Sequence, residues 1–366
     1  MSTDYYTIPV TETKWGIENS FDTVFNWEYD EQRGRLVTLY DKGKQKQWDS
    51  AVRLDWSVDV DPGSPDNGPD YYIPIYGSDI WERLTEKEQY ELRHHMGAWL
   101  NSQFLHGEQG ALICTAKIVQ SVPDIDSKFY AATQVMDEAR HVETYSRYIR
   151  EKIEMAYPIN RFLKTLLDQV IQDSRWDFTY LGMQIMIEGL ALAAFSLIRD
   201  FSTEPLAKAV NTYVMQDEAR HVAFGRLALR DYYPQLTEPE RQEREEFIAE
   251  ASLLMYGRFM AQEVWANLGF NLDEVMTYVE QSEMMLQFRK MLFSRIVPIV
   301  KDIGLLGPKT SRVFQQLGVM EYESFNPDEL SAADEQIAEE MDRRRAEINA
   351  TVRLGLGEDA ESEVAG

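Results

Sequence analysis

The order of apolar and polar residues becomes typical of a long helix at Thr85. From Thr85 to Val122 the chain contains no proline, Thr85 and Glu88 have the spacing of a capping box, and Pro123 follows. This pattern predicts one helix of roughly 50 Å, which is too long for a small domain unless other helices lie beside it. Further helices are predicted over residues 126–150, 159–174, 175–201, 204–230, 239–266 and 272–304.

The two ends of the chain differ from this helical body. Residues 1–80 are rich in Trp, Tyr, Asp, Pro and Gly, which predicts an irregular N-terminal arm with short helices that wraps the body. Residues 326–366 are strongly charged and predict a solvent-exposed helix from 328 to about 349, followed by an acidic tail. Between the ends, residues 81–325 show no strand-like alternation of any length. We therefore predict an all-α protein with one helical domain.

Composition and charge restrict the possible partners. The 366 residues carry a net charge of −25, which argues against binding to the phosphates of nucleic acids. A single cysteine, Cys114, excludes internal disulfides and metal sites built from cysteines alone. No stretch approaches twenty uncharged apolar residues, and the first ten residues lack the layout of a secretion signal. We expect a cytoplasmic protein that binds neither nucleic acid nor membranes.

A five-residue motif, Asp-Glu-Ala-Arg-His, occurs twice, at residues 137–141 and 217–221. A lone glutamate, Glu108 or Glu188, lies thirty residues before the glutamate of each motif. The whole Glu–Glu–His set therefore repeats with a displacement of eighty residues. Such agreement in the polar positions indicates two halves of one site.

The spacing within each motif suits a metal ion. A glutamate and a histidine three positions apart project from one face of a helix, where both can bind the same ion. One further glutamate from each of two other helices completes four carboxylates and two imidazoles, the ligand set of a dinuclear site in a helical bundle. These ligands suit iron or manganese. The predicted metal ligands are Glu108, Glu138, His141, Glu188, Glu218 and His221.

The alternative is that each Glu-x-x-His pair lies on a solvated helix surface. Glu188 argues against this, because it lies within the apolar stretch YLGMQIMIEGLALAAFSLI. An unpaired ionised carboxylate would cost several kcal/mol to bury there. A pair of metal ions would compensate for that cost.

The aspartate and arginine of each motif have a separate predicted role. Asp137 and Asp217 lie about 100° around the helix from the neighbouring glutamate. Each can reach the histidine of the other motif and accept its free ring N–H, which fixes the tautomer. Arg140 and Arg220 can neutralise these aspartates. The alternative is two surface ion pairs, which contribute little to stability.

This ligand pattern resembles that of the ferritin-like di-iron carboxylate proteins. It resembles the branch that holds ribonucleotide reductase small subunits and the hydroxylase subunits of bacterial multicomponent monooxygenases. The Asp-Glu-x-Arg-His form of both repeats is similar to the hydroxylases in particular. It covers about residues 80–300. It implies a ferritin-like four-helix-bundle core and O2 activation by two iron ions, or by a Mn/Fe pair, bound to the six predicted ligands.

Electrons for such a site have to come from outside the chain. The sequence has no cysteine cluster and no convincing flavin or nicotinamide loop. We therefore expect an external reductase or ferredoxin as the electron donor. The resemblance further suggests a homodimer or a hydroxylase complex.

Several positions depart from the patterns of these relatives. Leu192 stands where the hydroxylases usually carry a threonine. Val214 stands where the N-oxygenating di-iron enzymes resembling aminobenzoate oxygenase have an additional histidine, seven residues before the last one. Tyr145, one turn after His141, matches the radical tyrosine of reductase subunits, but its counterpart in the second repeat is Gly225. The alternative for Tyr145 is a buried structural role.

The residues beside the predicted ligands suggest what the site holds. They are Phe104, Ala111, Leu112, Met183, Gln184, Ala191, Leu192 and Phe195. All but Gln184 are apolar, which favours a small, mainly apolar organic substrate, although the same stripe is also typical of ordinary core packing. The leading hypothesis is a di-iron oxygenase of the monooxygenase type. The alternatives are a radical-generating subunit that uses Tyr145, a Mn/Fe oxidase and an iron-storage protein.

Overall fold

The structure, a computed structural model, describes residue 7, residues 14–30 and residues 33–364, and the side chains as far as residue 347. Most of the first ten residues, which were expected to lack a secretion signal, lie outside the described residues. Within the described ranges there is no β-strand. The α-helices are α1 Gly34–Gln45, α2 Ser50–Arg53, α3 Asp79–Glu82, α4 Glu86–Ser121, α5 Ile125–Tyr148, α6 Arg161–Gln172, α7 Trp176–Tyr180, α8 Glu188–Phe201, α9 Pro205–Tyr232, α10 Glu238–Gly257, α11 Gln262–Asn267, α12 Leu272–Gln281, α13 Glu283–Met291, α14 Ile296–Asp302, α15 Pro308–Leu317 and α16 Pro327–Val364.

Four helical stretches form the core of the molecule. Helix α4 packs along α5, and α8 packs along α9. The long helix predicted from the sequence is α4, and its N-terminus is closed by the predicted capping box: Thr85 Oγ1 accepts from the Glu88 amide, and Glu88 Oε2 accepts from the Thr85 amide at 2.8 Å. The all-α prediction with a four-helix core is confirmed.

One core stretch contains a π-helix. Between α7 and α8, residues Leu181–Ile187 form a wider π turn that leads directly into Glu188. The continuous helical stretch Trp176–Phe201 is long and apolar enough to cross a membrane by length and composition, but 78% of the apolar window is buried inside the protein. It is therefore a helix of the protein core.

Two predicted long helices are interrupted. The segment predicted at 239–266 breaks after α10, where Arg258–Met260 form a 3₁₀ turn and Ala261 adopts a left-handed conformation at φ 50°. The segment predicted at 272–304 divides into α12, α13 and α14. Pro298 explains the last of these breaks, because proline lacks an amide donor and its ring clashes with the carbonyl four residues earlier.

Both ends of the chain pack against the core. Helix α1, in the N-terminal arm, contacts α5 and α9. Helix α16 packs on α9, with Ala338 fully buried and Asp334 bonded to Arg199 and Arg295 at 3.2 and 2.9 Å. The prediction of a solvent-exposed C-terminal helix is therefore wrong for this face, because the helix covers α9. The helix also continues to Val364, beyond its predicted end near residue 349.

Candidate metal centre

The six predicted ligands converge in the middle of the four-helix core. Helix α4 supplies one glutamate, α5 supplies a glutamate and a histidine, α8 supplies one glutamate at its first residue, and α9 supplies a glutamate and a histidine. All six residues are at most 5% exposed. They form two groups whose donor atoms lie within 4.8 Å of one another: Glu108, Glu138, His141 and Glu218, and Glu138, Glu188, Glu218 and His221.

We call these groups the Glu108 cluster and the Glu188 cluster. Glu138 and Glu218 belong to both, as two carboxylates that bridge a pair of ions would. Each histidine directs Nδ1 into the centre. His141 Nδ1 lies 3.0 Å from Glu218 Oε1, and His221 Nδ1 lies 3.1 Å from Glu138 Oε1.

Each histidine contacts the aspartate of the other motif, an arrangement that we call the exchanged aspartates. His141 Nε2 lies 3.1 Å from Asp217 Oδ2, and His221 Nε2 lies 3.2 Å from Asp137 Oδ2. In a neutral imidazole, an Nε2–H donated to a carboxylate leaves Nδ1 unprotonated and able to bind a metal. The structure thus has the cross-repeat arrangement that the sequence predicts.

The two arginines link these aspartates into one buried network. Arg140 donates to Asp137 at 2.5 Å and to Asp217 at 2.8 Å, while Arg220 donates to Asp217 and lies 3.8 Å from Asp137. Both arginines are less than a tenth exposed. Burial opposes ionisation of Asp217, but Arg220 and His141 hold its pKa well below the usual value. Asp217 therefore remains an anionic acceptor, and the burial of both aspartates excludes a surface role.

Two residues of the N-terminal arm complete the network. Trp48 Nε1 donates to Asp217 Oδ2 at 2.8 Å. Gln47 Nε2 donates to Asp137 Oδ1 at 2.7 Å and its Oε1 accepts from Arg140 at 2.7 Å. Neither residue was predicted from the sequence, and no spacing relates them to the repeated motif.

A buried glutamine also contacts the ligands. Gln134 Nε2 donates to Glu138 Oε1 at 2.9 Å and to Glu188 Oε1 at 3.0 Å. Gln134 is fully buried on α5, one turn before Glu138. This residue was not predicted from the sequence, although its position one turn from a predicted ligand was the available signal.

The clustered carboxylates repel one another. Burial, followed by the charge of Glu218, raises the pKa of Glu108 to about 8 and that of Glu188 well above its usual value. Burial also acts to raise the pKa of Glu138, but the two histidines more than offset it and hold that pKa below the usual value. A site of this kind favours bound cations, because each positive charge relieves the repulsion.

Several polar atoms at the centre make no hydrogen bond. Among the described residues, Glu138 Oε2, Glu188 Oε2, both carboxylate oxygens of Glu218 and His221 Nδ1 make no hydrogen bond. Buried polar atoms without partners are rare in folded proteins. Four carboxylates and two imidazoles with these unused donor atoms fit a pair of iron or manganese ions.

Tyr145 lies close to the Glu108 cluster. Its ring is 5.8 Å from that of Phe104 and 6.0 Å from that of Phe195, and its hydroxyl donates to Asn211 Oδ1 at 3.1 Å. Burial, then the charges of Glu108 and Glu218, raise the pKa of Tyr145 well above its usual value. Tyr145 is therefore a neutral, buried phenol beside the candidate ligands.

The counterpart of Tyr145, Gly225, has a packing role. A Cβ atom at Gly225 would lie 2.5 Å from Gln184 Cβ. The π turn therefore approaches α9 closely at this point, and any larger residue would separate the two helices. This contact accounts for the difference between the two repeats.

A cavity of about 320 Å³ reaches into the core as far as Phe104, one helical turn before Glu108. It is enclosed by residues 60–74 of the arm, α4, α8, the start of α9 and α13. Phe104, Ala194, Ile198, Phe201 and Phe288 give it a mainly apolar wall. Phe104 is one turn before Glu108 and so lies between the cavity and the cluster.

The predicted substrate pocket differs from this cavity. Of the eight predicted residues only Phe104 lines it; the other seven are Ala111, Leu112, Met183, Gln184, Ala191, Leu192 and Phe195. These seven residues do not line this cavity, and their role at the substrate site stays a prediction. The reason is that positions one turn from the ligands face the tightly packed helix interfaces, where five of the seven are at most 2% exposed.

Comparison with protein families gives one match over most of the chain. Residues 30–304 match the family described as P-aminobenzoate N-oxygenase AurF. This is the kind of enzyme from which the sequence departs at Val214. A comparison with curated proteins found no significant match.

Solved structures provide similar folds at low sequence identity. A Synechococcus protein with aldehyde deformylating oxidase activity is 14% identical, covers 60% of this chain and 95% of its own, and has a TM-score of 0.44. A variant of an R2-like ligand-binding oxidase with an aerobically reconstituted Mn/Fe cofactor is 16% identical. It covers 77% of this chain and 95% of its own, with a TM-score of 0.49.

Proposed function

We propose that this chain, which belongs to the P-aminobenzoate N-oxygenase AurF family of O2-dependent di-iron oxidoreductases, oxygenates a small, mainly apolar organic molecule. The observation that carries the proposal is the pair of overlapping clusters with two shared glutamates. The six clustered residues are the proposed ligands of two iron ions, or of a Mn/Fe pair. Ferrous iron held by these residues would supply the electrons and the coordination positions that O2 activation requires.

The protein's own residues have three roles in this proposal. The exchanged aspartates orient the two imidazoles, so that Nδ1 of each faces the centre. The packed core excludes water, since the six proposed ligands are almost fully buried. The apolar cavity beside Phe104 binds the substrate one helical turn from Glu108.

The substrate class follows from the cavity. A volume of about 320 Å³ with a mainly apolar wall suits a small aromatic or aliphatic molecule. Polar residues near the arm, including the Arg93–Asp70 pair at 2.7 Å, also line it. They are available to orient a polar end of the substrate.

The electron donor, the location and the assembly are also proposals. The single cysteine is buried, so the chain offers no thiolate cluster for electron transfer, and an external reductase or ferredoxin is the proposed donor. The charge of −25 suits a donor with a basic docking surface. A cytoplasmic homodimer, or a hydroxylase complex, is the proposed form, which light scattering of the purified protein tests.

The central test combines iron analysis with O2 consumption. The full chain is loaded with Fe(II) without oxygen, then exposed to O2 while oxygen uptake is followed. We expect two irons per chain and rapid oxidation of both. A protein that holds two irons and stays ferrous in air would overturn the proposal.

The cavity is tested separately with Ala194→Phe, which places a ring in the proposed substrate site. Small aromatic and aliphatic compounds are supplied with isotopically labelled O2, and labelled products are measured. We expect product formation to fall at least about tenfold, as a pocket of this size loses its room for substrate. Iron content should remain at two per chain. Unchanged product formation would remove the cavity from the proposal.

A radical-generating protein is the second candidate function. The observation in its favour is the neutral, buried Tyr145 beside Phe104 and the Glu108 cluster. Electron paramagnetic resonance after aerobic reconstitution decides the matter. A tyrosyl signal that disappears in Tyr145→Phe supports it, and a signal that is absent or survives the substitution counts against it.

A further inference from the structure

The surroundings of the two lone glutamates are unequal, although the ligands repeat. Four positions lie one turn before a glutamate of the centre and form two equivalent pairs eighty residues apart: Phe104 with Gln184, and Gln134 with Val214. In each pair one side chain is an amide and the other is apolar. The chain therefore repeats its ligands without repeating what surrounds them.

The amides belong to the Glu188 side. Gln134 holds Glu138 and Glu188 together, with hydrogen bonds of 2.9 and 3.0 Å from one amide nitrogen. Gln184 lies in the π turn just before Glu188 and packs against Gly225, one turn after His221. Both glutamines are fully buried.

The Glu108 side has apolar counterparts. Val214 is fully buried and Phe104 is 2% exposed. The side-chain nitrogen beside the Glu108 carboxylate is His141 Nδ1 at 3.2 Å, a nitrogen that faces the centre itself. Among the described residues, Glu108 thus has no hydrogen-bond donor from outside the proposed ligand set, whereas Glu188 has one.

Hydrogen bonds from outside a metal site fix the orientation of its ligands and change its affinity for the metal. We propose that Gln134 is a positioning residue that makes the two metal positions unequal. It fixes Glu188, so that the Glu188 cluster binds its ion tightly. The Glu108 cluster, one turn from the cavity, binds more weakly and keeps a carboxylate that is free to change its orientation. This inference rests on the proposed dinuclear site.

The test measures the two stepwise dissociation constants for Fe(II), by equilibrium dialysis of the full chain without oxygen. Mössbauer spectra of protein loaded with isotopically enriched Fe(II) show the two environments separately. Wild-type protein should give two distinct constants and two distinct ferrous signals. Glu188→Gln should remove the tighter constant, and Glu108→Gln the weaker one.

Gln134→Leu removes the amide at nearly constant volume. The tighter constant should weaken by about 10–100-fold, the usual effect of losing an outer partner, and the signal of the tighter site should shift. The double variant Gln134→Leu/Val214→Gln moves the amide to the other repeat. The Glu108 cluster should then bind Fe(II) more tightly than the Glu188 cluster. This last readout separates positioning from a general loss of stability.

Gln216→Leu is the matched control. Gln216 is also a buried glutamine, on α9, but its amide has no hydrogen-bond partner among the described residues. Both constants should stay within about twofold of the wild type. If wild-type protein binds two irons but Gln134→Leu leaves both constants and both signals unchanged, the inference fails and the proposed function stands. If wild-type protein does not bind two irons, both fail.

Discussion

Individual side chains of the centre differ in how far the sequence reveals them. The six proposed ligands were found because their spacing repeats, and polar residues rarely repeat inside apolar helices unless they share a site. Gln134 was missed because a glutamine in a helix is common and has no repeat partner, since Val214 occupies the equivalent position. Trp48 could not be found, because only the folded arm brings it to Asp217.

Removing one lone glutamate should remove the paired site. Glu188→Ala takes one carboxylate from the Glu188 cluster, and we expect metal analysis to show fewer than two ions per chain. Circular dichroism should show that the helical fold is retained, because the change affects one buried residue. Two tightly bound ions per chain in this variant would mean that Glu188 is not a ligand.

The exchanged aspartates lead to a second prediction at this scale. Asp217→Asn weakens the acceptor for His141 Nε2–H, and Fe(II) affinity should fall by about 10–100-fold. Asp231→Asn is the control, because Asp231 is 59% exposed and pairs with Arg33 at the surface, where such pairs contribute little. Equal affinities for the two variants would contradict the role of Asp217.

At the scale of helices, local signals predicted starts and ends better than interruptions. The capping box at Thr85 and the proline at 123 mark α4 in the sequence itself. The break after α10 has no such local mark. It depends on tertiary contacts, among them the Trp265 indole that donates to the Met260 carbonyl at 2.9 Å.

The contact between the π turn and α9 gives a prediction for stability. Gly225→Ala places a Cβ atom 2.5 Å from Gln184 Cβ, so the free energy of unfolding should fall by about 1–3 kcal/mol. Gly97→Ala is the control, since its Cβ would have no atom within 4 Å and a helical glycine destabilises. That variant should gain about 1 kcal/mol. Urea unfolding measures both, and equal effects of the two substitutions would contradict the proposed contact.

For the whole molecule, the all-α class and the helical body followed from the sequence, whereas the particular contacts that each end makes with the body did not. The charges of the C-terminal segment suggested full exposure, yet Asp334 and Ala338 are buried against the core. Long-range docking of this kind depends on complementary surfaces that become defined only after the bundle has formed. The contacts of the arm and of α16 therefore had to be learned from the structure.

Metal binding should stabilise the whole protein. Four buried carboxylates repel one another without cations, so Fe(II) under anaerobic conditions should raise the melting temperature. A ligand at 100 times its dissociation constant contributes about 2.7 kcal/mol. Differential scanning calorimetry checks this, with Glu188→Ala as the control that should respond much less. A melting temperature independent of Fe(II) would contradict a metal site in the core.

The exchange of aspartates between the two histidines bears on the ancestry of the chain. A protein made of one repeat alone would have a histidine without its aspartate and an aspartate without its histidine. Two copies of that shorter chain, associated about a twofold axis, would satisfy both. Duplication and fusion would then have allowed the two copies to diverge. Gln134 now corresponds to Val214, and Tyr145 corresponds to Gly225. Two identical chains related by symmetry could never have acquired such differences.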